Sequence, residues 1–223
     1  MVSDESKTSP IGSAEPFQRE RPKRARKPKK NAPLDETSLR DLALAYVARF
    51  ATTAAKLEGY LARKLRERGV AEDADGRVRE LDVAGLVSRL IELGYVDDDA
   101  YARSRSRDLT QRGYGKRRVE QALWAAGVEE QARSDHAPSE GAGRRAAMLL
   151  AKKRRFGPFG HGDPSDDEDR EAARKRREKQ TAAMLRAGHI FDHVRFILEA
   201  TETESIEDWV IEAEDDEDER NGW

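Results

Sequence analysis

At 223 residues, with 39% charged and 37% hydrophobic side chains and a mean hydropathy of −0.90, the chain is too polar to enclose a deep catalytic pocket, and it suits thin helical stacks with much surface per unit of core. The formal net charge of −2 conceals an asymmetry: residues 1–33 hold 9 Lys/Arg against 4 Asp/Glu, residues 199–223 hold 1 against 12, and the stretch between is mildly basic. Cysteine is absent, which excludes disulfides and thiolate metal sites, and no segment approaches the roughly 18 apolar residues that span a bilayer, so a cytoplasmic protein with no membrane segment is expected.

The first 33 residues combine five prolines with the basic run Arg19 to Lys30 and are expected to be a disordered tail, with a weak electrostatic arm for nucleic acid as the sharper reading. Leu39, Leu42, Tyr46, Val47 and Phe50 then share one face of a helix starting near Thr37 or Ser38. Thr52 or Thr53 opens a second helix with Leu57, Leu61 and Leu65 inward, stopped by Gly69, and Asp82 caps a third that ends at Gly94. Asp97-Asp98-Asp99 opens a basic helix reaching about Gln111, and Gly113-Tyr114-Gly115 turns into a helix from Lys116 to Ala126. A short, weakly apolar helix is expected near Val128 to Arg133. The next begins near Arg144 and runs into Lys152-Lys153-Arg154-Arg155, followed by a flexible loop from Gly157 to Asp169, a helix from Arg170 to Ala187, and a last helix carrying Ile190, Phe191, Val194, Ile197 and Leu198. The acidic segment beyond 200 is expected to be a disordered tail, although Ile206, Trp209 and Val210 offer a local docking point, and loss of residues 212–223 is expected to be neutral for stability.

Three of these helices end alike, in glycines at 69, 127 and 188, separated by 58 and 61 residues, with Leu65, Leu123 and Met184 each four positions earlier. This is an internal repeat, and repeats stack because one unit cannot bury its own apolar stripe. The expected fold is therefore all-α: three tandem three-helix repeats (34–96, 97–143 and 144–200) forming an elongated curved stack between charged tails (1–33 and 201–223).

The central block, Leu93-Gly94-Tyr95-Val96-Asp97-Asp98-Asp99-Ala100-Tyr101-Ala102 with Arg112-Gly113-Tyr114-Gly115-Lys116-Arg117-Arg118-Val119 and Leu123-Trp124-Ala125-Ala126-Gly127-Val128, resembles the RecX family of recombination regulators. The resemblance extends over most of 34–198. It implies a monomeric, non-catalytic protein that binds the RecA recombinase filament on single-stranded DNA and restrains filament growth, ATP hydrolysis and strand exchange.

The chemistry legible in the residues agrees with a binding role. His189 and His193 stand at i, i+4, a spacing seen in zinc sites, but no Glu follows His189 as in metalloprotease motifs and no third ligand is near, so no metal or other cofactor is expected. Gly157 to Gly162 is glycine-rich without the Lys-Ser/Thr of a phosphate loop, and no nucleophile has a recognisable base beside it. The candidate contacts are basic: Arg103, Arg105, Arg107, Arg112, Lys116, Arg117 and Arg118 in the second unit, and Lys152, Lys153, Arg154 and Arg155 in the third. They read either as solvated helix faces or as contacts to an acidic protein surface or to DNA phosphates, so direct DNA binding stands as the second functional reading. Tyr46, Tyr101 and Trp124 are expected to pack in the core.

Overall fold

The computed structural model describes residues 32–73, 75–160 and 170–221; the basic tail up to residue 31 and the loop segment 161–169 lie outside the described residues. Cα packing separates Met1–Ala32 from a body, Pro33–Trp223, and the body is helical. Its helices are α1 Glu36–Val47, α2 Ala54–Arg68, α3 Val83–Glu92, α4 Asp98–Gln111, α5 Lys116–Trp124, α6 Glu130–Asp135, α7 Glu140–Arg154, α8 Arg170–Arg186, α9 Phe191–Glu199 and α10 Thr203–Asn221, with a 3-10 turn at Gly157–Phe159. Among the described residues there is no sheet, only isolated bridges joining Leu34 to Val70 and Glu72 to Val78.

The starts follow the caps in the sequence. Thr53, Asp82 and Asp97 accept from the third amide beyond them, and Asp35 with Ser38 forms a reciprocal capping box that starts α1 slightly ahead of the expected position. Ser139 caps α7, which therefore begins at Glu140 rather than near Arg144. Each group of three helices closes on its own apolar cluster: Leu39, Leu57, Leu61, Val87 and Leu90 in the first, Ala102, Leu109, Val119, Leu123 and Val128 in the second, and Leu150, Met184, Val194 and Ile197 in the third.

Two expectations are corrected. The acidic segment past residue 200 is not a loose tail: α10 lies along α7, with Ile206, Val210 and Ala213 buried on one face, and Ile206 belongs to the third core. Its carboxylates do not repel one another out of the helix because α7 supplies the counter-charge, as described below. Removing residues 212–223 would strip away Ala213, Glu214 and Glu217, all of which contact or face α7, so the segment is structural. Trp124 is 69% exposed instead of packed, because Leu123, Ala126 and Val128 fill the core where the chain turns out of α5.

The middle helices of successive units meet end to end. The N–H groups of Gly115 and Arg117, which open α5, donate to the carbonyls of Ala187 (2.9 Å) and Gly188 (3.1 Å), which close α8. The same meeting recurs at α2, where the cap hydroxyl of Thr53 donates to the Ala126 carbonyl at 2.5 Å at the end of α5. At α5 the orphan amides of one helix thus satisfy orphan carbonyls of the next, at α2 a cap hydroxyl does so, and in both the positive end of one macrodipole faces the negative end of another. In the first unit the Leu34 amide takes this place, donating to the Gly69 carbonyl at 2.9 Å. Around the second junction the Asp98 carboxylate accepts from the Ala54 amide at 2.9 Å, and burial, reinforced by Asp97 and Glu129, raises its pKa against that hydrogen bond.

Gly188 shows how close the approach is: at φ +92° an added Cβ would stand 2.3 Å from the Arg118 backbone nitrogen. Gly69 has a similar φ of +75° but open space around it, so it serves as an internal control. Gly188→Ala is expected to lose more stability than Gly69→Ala in urea denaturation, the latter carrying only the backbone cost of its φ of 75° and ψ of 173°, about 1 to 3 kcal/mol. Equal losses would mean that the junction tolerates a side chain.

His189, 1% exposed, secures the same junction by donating from Nε2 to the Gly113 carbonyl at 3.1 Å, while Nδ1 has no partner among the described residues. Burial, helped by the nearby His193, lowers its pKa to about 4 against the raising effect of the Gly113 hydrogen bond. The unfolded imidazole titrates near 6.5, so between pH 6.5 and 4 the unfolded chain binds the extra proton. His189 should therefore leave stability undiminished above pH 6.5 and remove up to about 3 kcal/mol as pH falls toward 4. Denaturation at pH 7.5, 6 and 5 should show this slope in the wild type and a shallower one in His189→Gln; parallel slopes would contradict it.

Candidate interaction surface

The basic residues fall into three settings. On α4, Arg103 is held by Asp99 at 2.6 Å, and Asp108 takes both Arg105 (3.0 Å) and Arg112 (3.4 Å), so these three cations are largely neutralised on their own helix. Asp99 also binds His136 Nε2 at 2.6 Å, and these hydrogen bonds, first from His136 and then from Arg103, hold its carboxyl below the usual range. Arg107 is exposed and has no ion pair among the described residues.

Lys116, Arg117 and Arg118 occupy the first turn of α5, where their charges oppose the helix dipole. The α8 carbonyls facing that turn offset this locally. All three side chains are exposed; Arg118 donates to Gln121 at 2.8 Å, and Lys116 and Arg117 have no ion pair among the described residues.

The third setting is α7, whose two ends differ. Along its length α10 lays down acids: Lys152 pairs with Glu207 at 2.7 Å, Arg144 with Glu212 at 3.5 Å, Arg145 with Glu214, and the Gly141 amide donates to Glu217 at 2.7 Å. A tighter cluster ties α7, α9 and α10 together. Glu140 accepts from Arg144 (2.8 Å) and His193 (3.0 Å), Arg144 donates to the Trp209 carbonyl (2.8 Å) and lies 4.7 Å over its ring, and Trp209 stacks on Phe196. Burial would raise the Glu140 carboxyl, but the bonds from Arg144 and His193 outweigh it and hold the pKa low. His189 and His193 therefore serve different partners, Gly113 and Glu140, and do not converge on a shared point.

Beyond Lys152 the setting changes. Lys153, Arg154 and Arg155 are exposed, without ion pairs among the described residues, and Arg155 caps α7 in the left-handed conformation at φ 56°. Arg154 and Arg155 face α8 across a cleft of about 530 Å³ that is also lined by Phe156, Ala172, Lys175, Arg176, Lys179 and Gln180. Sequence reasoning did not single out the α8 cations, although the run Arg174-Lys175-Arg176-Arg177 was visible; it also missed that α10 neutralises Lys152 and that Arg145 belongs to the same face.

A groove of about 820 Å³ between α4 and α7 brings Arg103, Arg107, Arg145 and Lys152 together with Asp135, Glu214 and Glu217, on walls that include Ala142, Ala146 and Leu149. The structure thus joins Arg103 and Arg107 to Lys152, but it places Lys116 to Arg118 and Arg154 to Arg155 outside this groove. Among the described residues, no helix is long and apolar enough to cross a membrane. What the surface can do chemically is bind charge in several separate places, spread over units whose register is set by the helix junctions.

Comparison with known proteins agrees with this architecture. No family model matches the chain. The structure is similar to the crystal structure of RecX from Lactobacillus salivarius, with a TM-score of 0.54 at 19% identity, covering 74% of this chain and 95% of that one. It is also similar to a second crystal structure of a regulatory protein RecX, with a TM-score of 0.52 at 20% identity, covering 74% and 72%. In sequence it is 30% identical over 185 residues to the regulatory protein RecX of Myxococcus xanthus (strain DK1622), covering 80% of this chain and 93% of that protein. With that identity over that share of both chains, on the same all-helical fold, the chain belongs to the RecX family of regulatory proteins.

Proposed function

We propose that this chain acts as a cytoplasmic monomer that binds the filament of a RecA-type recombinase on single-stranded DNA and restrains its ATP hydrolysis and strand exchange, without catalysing a reaction itself. Membership of the RecX family carries the reading. The surface supports it: exposed cations without ion pairs among the described residues recur on α4, on α5 and at the end of α7, so charge is offered from two successive units rather than from one pocket. A partner that is itself a repeating assembly suits such a surface, because contacts to neighbouring subunits add without any single one being strong.

The test is an ATPase and strand-exchange assay on recombinase assembled on single-stranded DNA. Substoichiometric protein is expected to lower both rates, since one molecule spanning several subunits blocks filament growth. Arg107→Glu with Arg117→Glu is expected to weaken the inhibition severalfold while leaving the helical circular dichroism signal intact, because exposed charges govern encounter more than fold. If the wild type leaves both activities unchanged yet binds bare DNA tightly, direct DNA binding replaces this reading.

A further inference from the structure

α5 is anchored at both ends, yet its outward face stands open to solvent. Its first amides donate to the carbonyls of Ala187 and Gly188, and the chain just past its last turn is held by the Thr53 hydroxyl on the Ala126 carbonyl. Val119 and Leu123 turn inward, which leaves Arg117, Gln121 and Trp124 in one stripe on the opposite side, at i, i+4 and i+7. All three are exposed, and Trp124, at 69%, is the most exposed large apolar side chain among the described residues.

A single apolar side chain in water is ordinary, so exposure alone does not make a contact site of Trp124. Its surroundings do. The helix beneath it is tied to the units on either side, so little ordering remains to be lost on binding. One turn earlier, Gln121 accepts from Arg118 at 2.8 Å and is preset. Two turns earlier, Arg117 is exposed without an ion pair among the described residues. Trp and Arg are the side chains that carry most binding energy at protein interfaces, the first in an apolar pocket and the second on a desolvated acid. A nucleic-acid strand fits this face less well. Glu120 is exposed one turn before Trp124, and Glu129 and Glu130 are exposed at the start of α6, where they repel phosphates.

We propose that the outward face of α5 is a protein-docking surface anchored by Trp124, for a partner that presents an apolar pocket and, about 10 Å away along the helix axis, a carboxylate for Arg117. The face is polar in one direction, with Lys116, Arg117 and Arg118 at its start and Trp124 and Ala125 at its end, so it seats such a partner in one orientation. The inference rests on the regulatory reading above and deepens it: the surface that fills this role belongs to a recombinase subunit, not to the DNA that the filament coats. One small anchored contact suits a repeating partner, because the exposed cations elsewhere on the chain can engage neighbouring subunits.

The experiment uses the full chain and recombinase filaments assembled with ATP on oligothymidylate, reading binding by co-sedimentation and inhibition by the ATPase rate. Trp124→Ala is expected to weaken both at least about tenfold, Trp124→Phe to recover them to within about threefold of wild type, and Arg117→Gln to weaken them about threefold. Both positions are exposed, so thermal melts should match the wild type. Phe191→Ala removes a ring that is 58% exposed on α9 and serves as the control, expected to stay within about twofold. Anisotropy of a labelled oligothymidylate without recombinase should not distinguish Trp124→Ala from wild type. If the wild type inhibits and Trp124→Ala inhibits equally well, the docking face is wrong and the regulatory reading stands. An equal loss with Phe191→Ala would mean unspecific apolar adhesion, and an equal loss on the bare oligonucleotide would assign the ring to base stacking; either overturns the proposal. A wild type that neither binds nor inhibits the filament removes the regulatory reading and this inference with it.

Discussion

The meeting of helix ends is the interaction on which the rest of the molecule depends. An isolated three-helix unit leaves the amides at the start of its middle helix and the carbonyls at its end unsatisfied. Here the start of α5 is satisfied by Ala187 and Gly188 at the end of α8, and the cap of α2 reaches Ala126 at the end of α5. Because each unit keeps its own apolar core, these junctions, with His189 on Gly113 and Asp98 on Ala54, set the register between units. The glycines follow from this geometry, since a side chain at 115 or 188 would occupy the space of the opposing backbone.

Charge then decides which parts of the surface remain available. α10 carries most of the acids of the C-terminal segment and lays them against α7, so that Arg144, Arg145 and Lys152 are paired. α4 neutralises its own arginines through Asp99 and Asp108. Among the described residues, Arg107, Lys116 and Arg117 at the start of α5, and Lys153 to Arg155 at the end of α7, stand exposed without ion pairs. A near-neutral protein can thus present local positive surfaces without being a general polycation.

Most of the fold was legible because helix caps and C-terminal glycines are local signals. Thr53, Asp82, Asp97, Gly69, Gly127 and Gly188 all do what their residue types and positions imply. The repeat spacing was legible too, but its physical cause was not, since the contact between Gly115 and Gly188 joins residues far apart in the chain. The acidic segment misled for the same reason. Like charges in sequence argue for an unfolded tail, and only the facing surface of α7, with Gly141 allowing close approach of Glu214 and arginines supplying counter-ions, makes a helix of it. Trp124 failed as a core residue because bulk alone does not say which side of a helix end faces inward. The candidate surface was half legible: the basic runs could be read, but their neutralisation depends on neighbours that sequence order does not reveal.

The account stands or falls on the junctions, and amide hydrogen exchange followed by NMR tests them directly. The amides of Gly115 and Arg117 lie at a helix start, where they would ordinarily exchange quickly for want of an intrahelical acceptor. If the α8 carbonyls bind them as described, both should be protected to about the level of the α5 interior at Val119 and Leu123. Fast exchange at Gly115 and Arg117 with a protected α5 interior would contradict the central claim that the units are joined helix end to helix end.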